Sequence, residues 1–348
     1  MNLYLDMEKC LGSFHLCVKL EAADETTALL GASGCGKSMT LKCIAGIERP
    51  DRGRIVLDDT VLFDSERHID LPPQKRRVGY LFQQYALFPS MTAAQNIRCA
   101  IRGGSRAEKA ALLAEFVRRF RLEGLEKKLP AQLSGGQQQC VALARILAAQ
   151  PRAILLDEPF SALDGFLKWS LELELADLLA DFDGPIVWVS HDPGECRRNC
   201  SRVCVMEAGT AGVRRPMAEL AARPDSLSAA RLAGYKNFLA AERRGTDVFL
   251  PQWDLTIPAL SAPADAFTLC SPPEAVVFTP VGEKWRVRRV IEDLRASVVL
   301  LQLERAAETA PFLRAELPPA KRRRKARASA WRSVQSGSCR CKKPRPQL

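Results

Sequence analysis

The sequence has little of what marks membrane-spanning, secreted or zinc-dependent proteins. No apolar run approaches the roughly 18 residues that a transmembrane helix needs, so we expect no such helix. The first nine residues contain neither a basic segment nor a long apolar run, and they predict no secretory signal. The twelve cysteines follow no zinc-binding spacing. We therefore expect a cytoplasmic protein whose cysteines are reduced thiols.

The net charge of +11 comes from one end of the chain. Eleven of the 51 Lys and Arg residues lie between Lys321 and Leu348, where there is no Asp or Glu. The rest of the chain therefore has 40 basic and 40 acidic residues and is neutral. The charge gives no reason to expect that the folded part binds a specific nucleic acid. Residues 318–348 form a basic tail that we expect to be disordered.

Apolar runs alternate with helical patterns over the first two thirds of the chain. Thr27–Leu30, Ala153–Leu156 and Ile186–Val189 are continuous apolar runs, as in strands that are buried on both faces. Residues 106–120 are rich in helix-forming residues. The pattern predicts an α/β fold with a mainly parallel sheet.

The pattern changes near Gly234, where short β-like runs broken by prolines begin. These runs predict a second, smaller β-rich domain. We therefore expect three regions, which are an α/β domain over 1–232, the β-rich domain over 233–317 and the basic tail over 318–348.

A phosphate-binding loop follows the first apolar run. Residues 31–38, Gly-Ala-Ser-Gly-Cys-Gly-Lys-Ser, fit the pattern G-x-x-x-x-G-K-[ST]. Its glycines let backbone N–H groups converge on phosphate oxygens, Lys37 supplies a cation, and the Ser38 hydroxyl binds Mg²⁺. The expected nucleotide-binding residues are Gly31, Ser33, Gly34, Gly36, Lys37, Ser38 and Met39.

Two carboxylates end the apolar run at residues 153–156. Asp157 and Glu158 follow it directly, at the expected carboxyl edge of the sheet. We expect Asp157 to lie on the Mg²⁺ side and Glu158 to act as general base on an attacking water.

Residues 133–137, Leu-Ser-Gly-Gly-Gln, resemble the signature of ATP-binding-cassette (ABC) ATPases. The other elements of that family follow in its order. Phe82-Gln83 is similar to the Q-loop, residues 161–164 to the D-loop, and Ser190-His191-Asp192 to the switch histidine. The resemblance covers residues 1–232 and implies a P-loop ABC ATPase domain with a helical signature subdomain.

The resemblance also implies a nucleotide shared between two copies in a head-to-tail dimer. Its signature residues, Ser134, Gly135, Gly136 and Gln137, would bind the γ-phosphate of ATP held by the other copy, and Asp164 would lie in the D-loop. His191 would contact the γ-phosphate, and Gln83 would reach Mg²⁺ or the attacking water. Without this context, a single histidine is more often structural and Gln83 reads equally as a surface glutamine.

The family also stacks an aromatic residue near the amino terminus on adenine. Phe14 is the candidate for that role, and a core position in a β-hairpin is the equal alternative.

Within the family, residues 70–80 and 85–92 are similar to bacterial importer subunits, above all those for molybdate and sulfate. Residues 231–238 resemble the entry to the oligomer-binding-like β domain of importer ATPases. The resemblance implies uptake of an oxyanion, integral membrane permease partners, and indirectly a periplasmic or surface solute-binding protein. It also implies a peripheral position on the inner face of the cell membrane.

Two departures from the family pattern stand out. Cys140 replaces an arginine after the signature, and residues 270–274 replace an element with which the regulatory domain binds anions. The basic tail leaves one alternative from another class, a soluble ABC ATPase that acts on ribosomes or nucleic acid. An export cassette is a further alternative, although such cassettes lack the β-rich domain.

Overall fold

The computed structural model describes residues 1–161, 165–222, 224–258, 264–273, 276, 278–292, 297–317 and 338–341. The chain divides into two units, Met1–Leu220 and Ala221–Leu348. This division lies before the boundary that the sequence predicts at 232/233, and the domain limits stay a prediction.

The first unit is built on one large sheet with helices packed against it. Its strands are β1 (Leu3–Leu11), β2 (Phe14–Ala22), β3 (Thr26–Gly31), β4 (Arg52–Leu57), β5 (Thr60–Asp64), β6 (Ile69–Asp70), β7 (Val78–Leu81), β8 (Ala153–Asp157), β9 (Ile186–Ser190), β10 (Arg202–Glu207), β11 (Thr210–Ala211) and β12 (Arg215–Pro216). Its helices are α1 (Lys37–Ala45), α2 (Pro73–Arg76), α3 (Ala93–Arg98), α4 (Arg106–Arg119), α5 (Gly135–Ala148), α6 (Gly165–Leu179), α7 (Pro193–Asn199) and α8 (Met217–Ala222), of which α8 crosses the division.

The sheet has a parallel half and an antiparallel half. Strands β10, β3, β9, β8 and β7 are neighbours in that order and run parallel. Every residue of β8 and β9 is buried, as expected where elements cover both faces of a parallel sheet. The antiparallel half continues through β6, β5, β4, β1 and β2. The predicted α/β fold is confirmed, with an antiparallel half that the sequence pattern did not indicate.

Helices α3, α4 and α5 pack against one another between β7 and β8 in the chain. Helix α4 starts at the capping box of Ser105 and Glu108, and α5 starts at that of Ser134 and Gln137. The predicted helical subdomain around the signature is confirmed.

The second unit contains two antiparallel sheets, which confirms the β-rich prediction. The helix α9 (Leu227–Leu232) precedes strands β13 (Asn237–Arg244), β14 (Asp247–Leu250), β15 (Leu255–Ile257), β16 (Ala266–Ser271), β17 (Phe278–Glu292), β18 (Ser297–Leu303), β19 (Leu313–Leu317) and β20 (Ser338–Cys341). The sheet orders are β15-β14-β13-β16 and β19-β18-β17-β20. Trp253 and Trp285 meet edge to face at 5.0 Å in the core of this unit.

Strand β20 belongs to the tail for which composition predicts disorder. Its four residues pair with β17, whose free edge otherwise presents unpaired backbone groups. The remaining residues of the tail lie outside the described part of the chain.

The guanidinium of Arg76 holds the end of the first helix after the phosphate loop. Its side chain is fully buried and donates to the carbonyls of Cys43 and Ile44 in the last turn of α1. It also donates to Leu71 O and to Asp70. Arg76 thus adds a donor at the end of the helix, where Cys43 O accepts from the Gly46 N–H as well.

We predict that Arg76→Met lowers the free energy of unfolding by about 3 kcal/mol, because three backbone carbonyls and Asp70 each lose a charged donor. Urea denaturation followed by circular dichroism measures the change. Arg77→Met is the matched control, since the Arg77 side chain is exposed and donates to Gln150 O at 3.2 Å. A loss for Arg76→Met no larger than that for the control would contradict the prediction.

Candidate functional site

The loop between β3 and α1 has the backbone of a phosphate cradle. Gly34 and Gly36 have φ values of +81° and +104°, in the left-handed region that favours glycine. A Cβ on Gly36 would lie 2.5 Å from Leu16 Cδ1, and one on Gly31 would lie 2.4 Å from Met206 O. The loop therefore depends on its glycines for space as well as for backbone conformation.

The Lys37 side chain folds back over this loop. It is 5% exposed, and its Nζ donates to the carbonyls of Gly31 at 2.8 Å and Ala32 at 2.9 Å. These carbonyls are weaker partners for an ammonium than phosphate oxygens would be. The Lys37 ammonium is thus held at the loop, where an anionic ligand can replace the two carbonyls as its hydrogen-bond acceptor.

A carboxylate from the neighbouring strand reaches the start of α1. Asp157, at the end of β8, accepts from Ser38 Oγ at 2.7 Å and from the Tyr80 hydroxyl at 2.8 Å. Burial and the charge of Asp157 raise the pKa of Tyr80, so its hydroxyl stays protonated and donates. The Asp157 carboxylate is therefore oriented from two sides.

The Ser38 and Asp157 oxygens suit a magnesium ion that is bound to a nucleotide. Mg²⁺ prefers oxygen ligands, and in nucleotide sites it takes one or two from protein and the others from phosphates and water. Within the described residues, no group of three or more His, Cys, Asp or Glu side chains could hold a metal alone. The donor set therefore fits Mg²⁺ together with phosphates.

Glu158 lies in a strained backbone conformation directly after β8. Its φ is +47°, and its N–H donates to Val189 O on the neighbouring strand. Its Oε1 lies 3.3 Å from His191 Nδ1. The turn thus directs the carboxylate to the residue that follows β9.

Two cavities meet at Glu158. One of about 160 Å³ lies over the phosphate loop and is lined by Ser33, Gly34, Gly36, Lys37, Ser38, Met39 and Glu158. The other, of about 130 Å³, is lined by Glu158, Phe160, Ser161, Lys168, Ser190, His191 and Glu195. The predicted base and switch histidine are therefore brought beside the predicted phosphate site.

Gln83 is exposed and donates to Ser161 Oγ at 3.2 Å. Ser161 in turn donates to the carbonyl of Glu158. This chain of contacts connects Gln83 to the Glu158 turn, and its role toward Mg²⁺ or water stays a prediction.

The Phe14 ring lies beside the phosphate loop. Phe14 opens β2 opposite Leu11 in the β1–β2 hairpin, and its ring packs partly on the core. A Cβ on Gly36 would lie 3.3 Å from that ring. The ring of Phe14 therefore contacts the core and also lies near the phosphate loop, so neither of the two roles proposed for it is ruled out. Stacking on adenine stays a prediction. Asp164 lies outside the described residues.

The signature residues form a separate surface at the start of α5. The exposed Ser134 caps the helix by accepting from Gln137 N, while Gln137 Oε1 accepts from Ser134 N. Gly135 is half-buried. A Cβ on the following residue, Gly136, would lie 2.9 Å from Leu171 Cδ1 of α6. The helix start is thus fixed by packing at Gly136, with the side chain of Ser134 exposed at its cap.

Sequence reasoning missed the Tyr80 hydroxyl and the Ser161 bridge. A hydroxyl-bearing aromatic residue near the end of a strand in the same sheet is the signal that could have identified Tyr80.

In the part of the chain that the structure describes, none of the helices has the length and hydropathy to cross a bilayer.

The fold and the site define the class of protein, which is a P-loop ATPase whose sheet carries an inserted helical subdomain. A family model described as ABC transporter matches residues 17–161. A solved dimer of an ATP-binding cassette in a post-hydrolysis state with ADP and phosphate covers 62% of this chain and 99% of its own. It is 29% identical, with a TM-score of 0.52.

Curated relatives make the assignment narrower. The chain is 36% identical to the molybdenum import ATP-binding protein ModC of Rhodospirillum rubrum, over 86% of this chain and 77% of that protein. It is 38% identical to the sulfate/thiosulfate import ATP-binding protein CysA 2 of Chromobacterium violaceum, over 85% and 81%. The chain belongs to the family of ATP-binding subunits of ABC importers.

The alignments also include import proteins of other specificities. An Fe(3+) ions import ATP-binding protein, FbpC of Streptomyces coelicolor, is 36% identical over 84% of this chain and 82% of its own. The family is therefore shown, and the comparisons leave the transported solute open.

Proposed function

We propose that this chain hydrolyses ATP in a head-to-tail dimer to drive uptake of an oxyanion, with molybdate the first candidate and sulfate the second. The hydrolytic role rests on the position of Glu158. This residue lines the phosphate-loop cavity, and its Oε1 lies 3.3 Å from His191 Nδ1.

ATP binding requires the loop to exchange partners. The phosphates bind to the backbone N–H groups of residues 33–38, which include the start of α1, as anions do at other helix amino termini. Lys37 leaves the carbonyls of Gly31 and Ala32 for the β- and γ-phosphates, which are stronger acceptors. Met39 lines the same cavity beside the phosphates, and Phe14 is placed to stack on adenine.

Ser38 and Asp157 would hold Mg²⁺, with Gln83 as the third proposed ligand. When bound, the ion neutralises charge on the phosphates and orients them for attack. Tyr80 keeps the Asp157 carboxylate turned toward Ser38.

Hydrolysis then depends on Glu158 and His191. The Glu158 carboxylate accepts a proton from the attacking water, whose oxygen forms a bond to the γ-phosphorus as the bond to ADP breaks. His191 donates to a γ-phosphate oxygen and, through its contact with Glu158, fixes where that carboxylate points.

Glu158→Gln should lower kcat by about 10²–10⁴-fold, because the amide keeps the shape and removes the general base. ATP binding should persist, and the variant should accumulate as an ATP-bound dimer on size exclusion. Phosphate release with MgATP measures kcat. Glu207→Gln is the matched control, since Glu207 ends β10, another parallel strand of the same sheet, and is exposed. If Glu158→Gln retains more than a tenth of the activity, Glu158 is not the base.

The exposed signature at α5 supports the dimer. Ser134 is exposed and Gly135 and Gln137 are half-buried at this capped helix start, which would meet the γ-phosphate bound by the second copy, while the buried Gly136 allows close packing on α6. Asp164 is proposed to contact the facing copy at the same interface.

Ser134→Arg should leave ATP binding by the monomer intact and abolish both dimer closure and hydrolysis, because the long side chain fills the γ-phosphate position of the facing copy. Ser105→Arg supplies the control, since Ser105 is also an exposed cap in a capping box, at the start of α4. Fluorescent ATP binding and phosphate release separate the two effects. Normal hydrolysis by Ser134→Arg would exclude a shared site.

The partner proposal rests on similarity that extends into the second unit, and molybdate is placed first because residues 70–80 and 85–92 resemble the molybdate and sulfate subunits above all. The alignment with the molybdenum import protein spans 308 residues and that with the sulfate/thiosulfate protein spans 305. The proposed partners are integral membrane permease subunits and, through them, a periplasmic or surface solute-binding protein, with this chain on the inner face of the membrane. No specific nucleic acid is required.

Deletion of the gene should abolish uptake of labelled molybdate and spare uptake of sulfate, Fe(3+) and polyamines. Wild type and Glu207→Gln should restore uptake, and Glu158→Gln should not. Loss of sulfate uptake alone would reassign the solute to the second candidate. Unchanged uptake of all four solutes would contradict the importer role.

A further inference from the structure

A cluster of charged side chains joins α6 to the turn that carries the switch histidine. Lys168 Nζ lies 2.8 Å from Asp192 Oδ2, 2.8 Å from Glu195 Oε2 and 4.0 Å from Glu172 Oε1. Arg198 of α7 forms a two-point pair with Glu172 at 2.6 and 2.9 Å. Lys168 therefore reaches both carboxylates at the start of α7.

Burial makes Glu195 depend on its partners. Glu195 is 3% exposed, and its other oxygen accepts from Trp188 Nε1 of β9 at 2.8 Å. A buried carboxylate that loses its cation either takes up a proton or moves toward water. Removal of Lys168 would therefore disturb the junction between β9 and α7.

Asp192 links Lys168 to the backbone turn that follows His191. Its Oδ1 accepts from the N–H groups of Gly194 and Glu195 and caps α7, while its Oδ2 accepts from Lys168. Although burial opposes it, the hydrogen bond from Lys168 helps to hold the pKa of Asp192 below its usual value. The Lys168 ammonium thus fixes the backbone turn directly after His191 to α6, next to the Arg198–Glu172 pair that joins α7 to the same helix.

The same ammonium faces the site. Lys168 lines the cavity of about 130 Å³ that also contains Glu158 and His191. Its two close carboxylates neutralise it there, so its contribution is to geometry rather than to phosphate charge.

We propose that Lys168 is a positioning residue for hydrolysis, which holds the Asp192 turn so that the His191 imidazole stays against Glu158. This inference rests on the proposed function of His191 and Glu158.

The test compares Lys168→Met with Lys168→Arg in the full chain. Lys168→Met should lower kcat by between about 10- and 100-fold, because small displacements of a catalytic group have effects of this size. Its KM for ATP should change by less than about twofold, since the partners of Lys168 are carboxylates of the protein rather than the bound nucleotide. Lys168→Arg should restore most of the rate, because its guanidinium can pair with both carboxylates.

Arg152→Met provides the stability control. Arg152 pairs with Asp58 and is 29% exposed, against 21% for Lys168, and it precedes β8 at the edge of the sheet away from the site. It should lower the urea midpoint without changing kcat by more than about twofold, as expected for a remote ion pair. Equal losses of kcat in Arg152→Met and Lys168→Met would overturn the proposal.

Imidazole NMR gives a readout that does not depend on activity. The chain has three histidines, His15, His68 and His191. Lys168→Met should shift the His191 signal and leave the other two unchanged. An unchanged His191 signal would overturn the positioning role. Activity that survives Glu158→Gln would instead overturn the proposed function, so the two failures are distinguishable.

Discussion

The parallel pairing of β3, β8 and β9 is the constraint on which the site depends. Leu30 is paired with Ser190, and Asp157 with Val189, so the three strands end at the same edge of the sheet. The phosphate loop, the acidic pair and the switch histidine each lie where a strand of this group ends. Their proximity therefore follows from backbone hydrogen bonding between the strands.

The parts of the fold that could be predicted are those encoded by local patterns. The continuous apolar runs identified β3, β8 and β9, because a strand buried on both faces is mostly apolar, with its polar residues near its ends. The phosphate loop was evident from its glycines and Lys37, since few other residues permit that backbone. The family assignment and the β-rich second unit are also confirmed. Both could be predicted because sequence motifs and short β-like runs are recognisable from a few neighbouring residues.

What could not be predicted depends on pairs that are distant in sequence. The Tyr80–Asp157 hydrogen bond joins residues 77 positions apart, and it requires knowledge that β7 lies beside β8. The buried Arg76 had no visible partner in sequence, because its acceptors are mainly backbone carbonyls. Lys168 is part of no sequence motif, and its role depends on Asp192 and Glu195, which only the packing of α7 brings next to it.

The left-handed backbone at Glu158 has a consequence for stability. A glutamate at φ +47° carries strain of about 1 kcal/mol or more that a glycine would not, even though glycine gains freedom in the unfolded chain. The position therefore favours glycine for folding and glutamate for the proposed chemistry. If the proposed role of Glu158 holds, the strained turn is a cost in stability that the chain keeps for ATP hydrolysis.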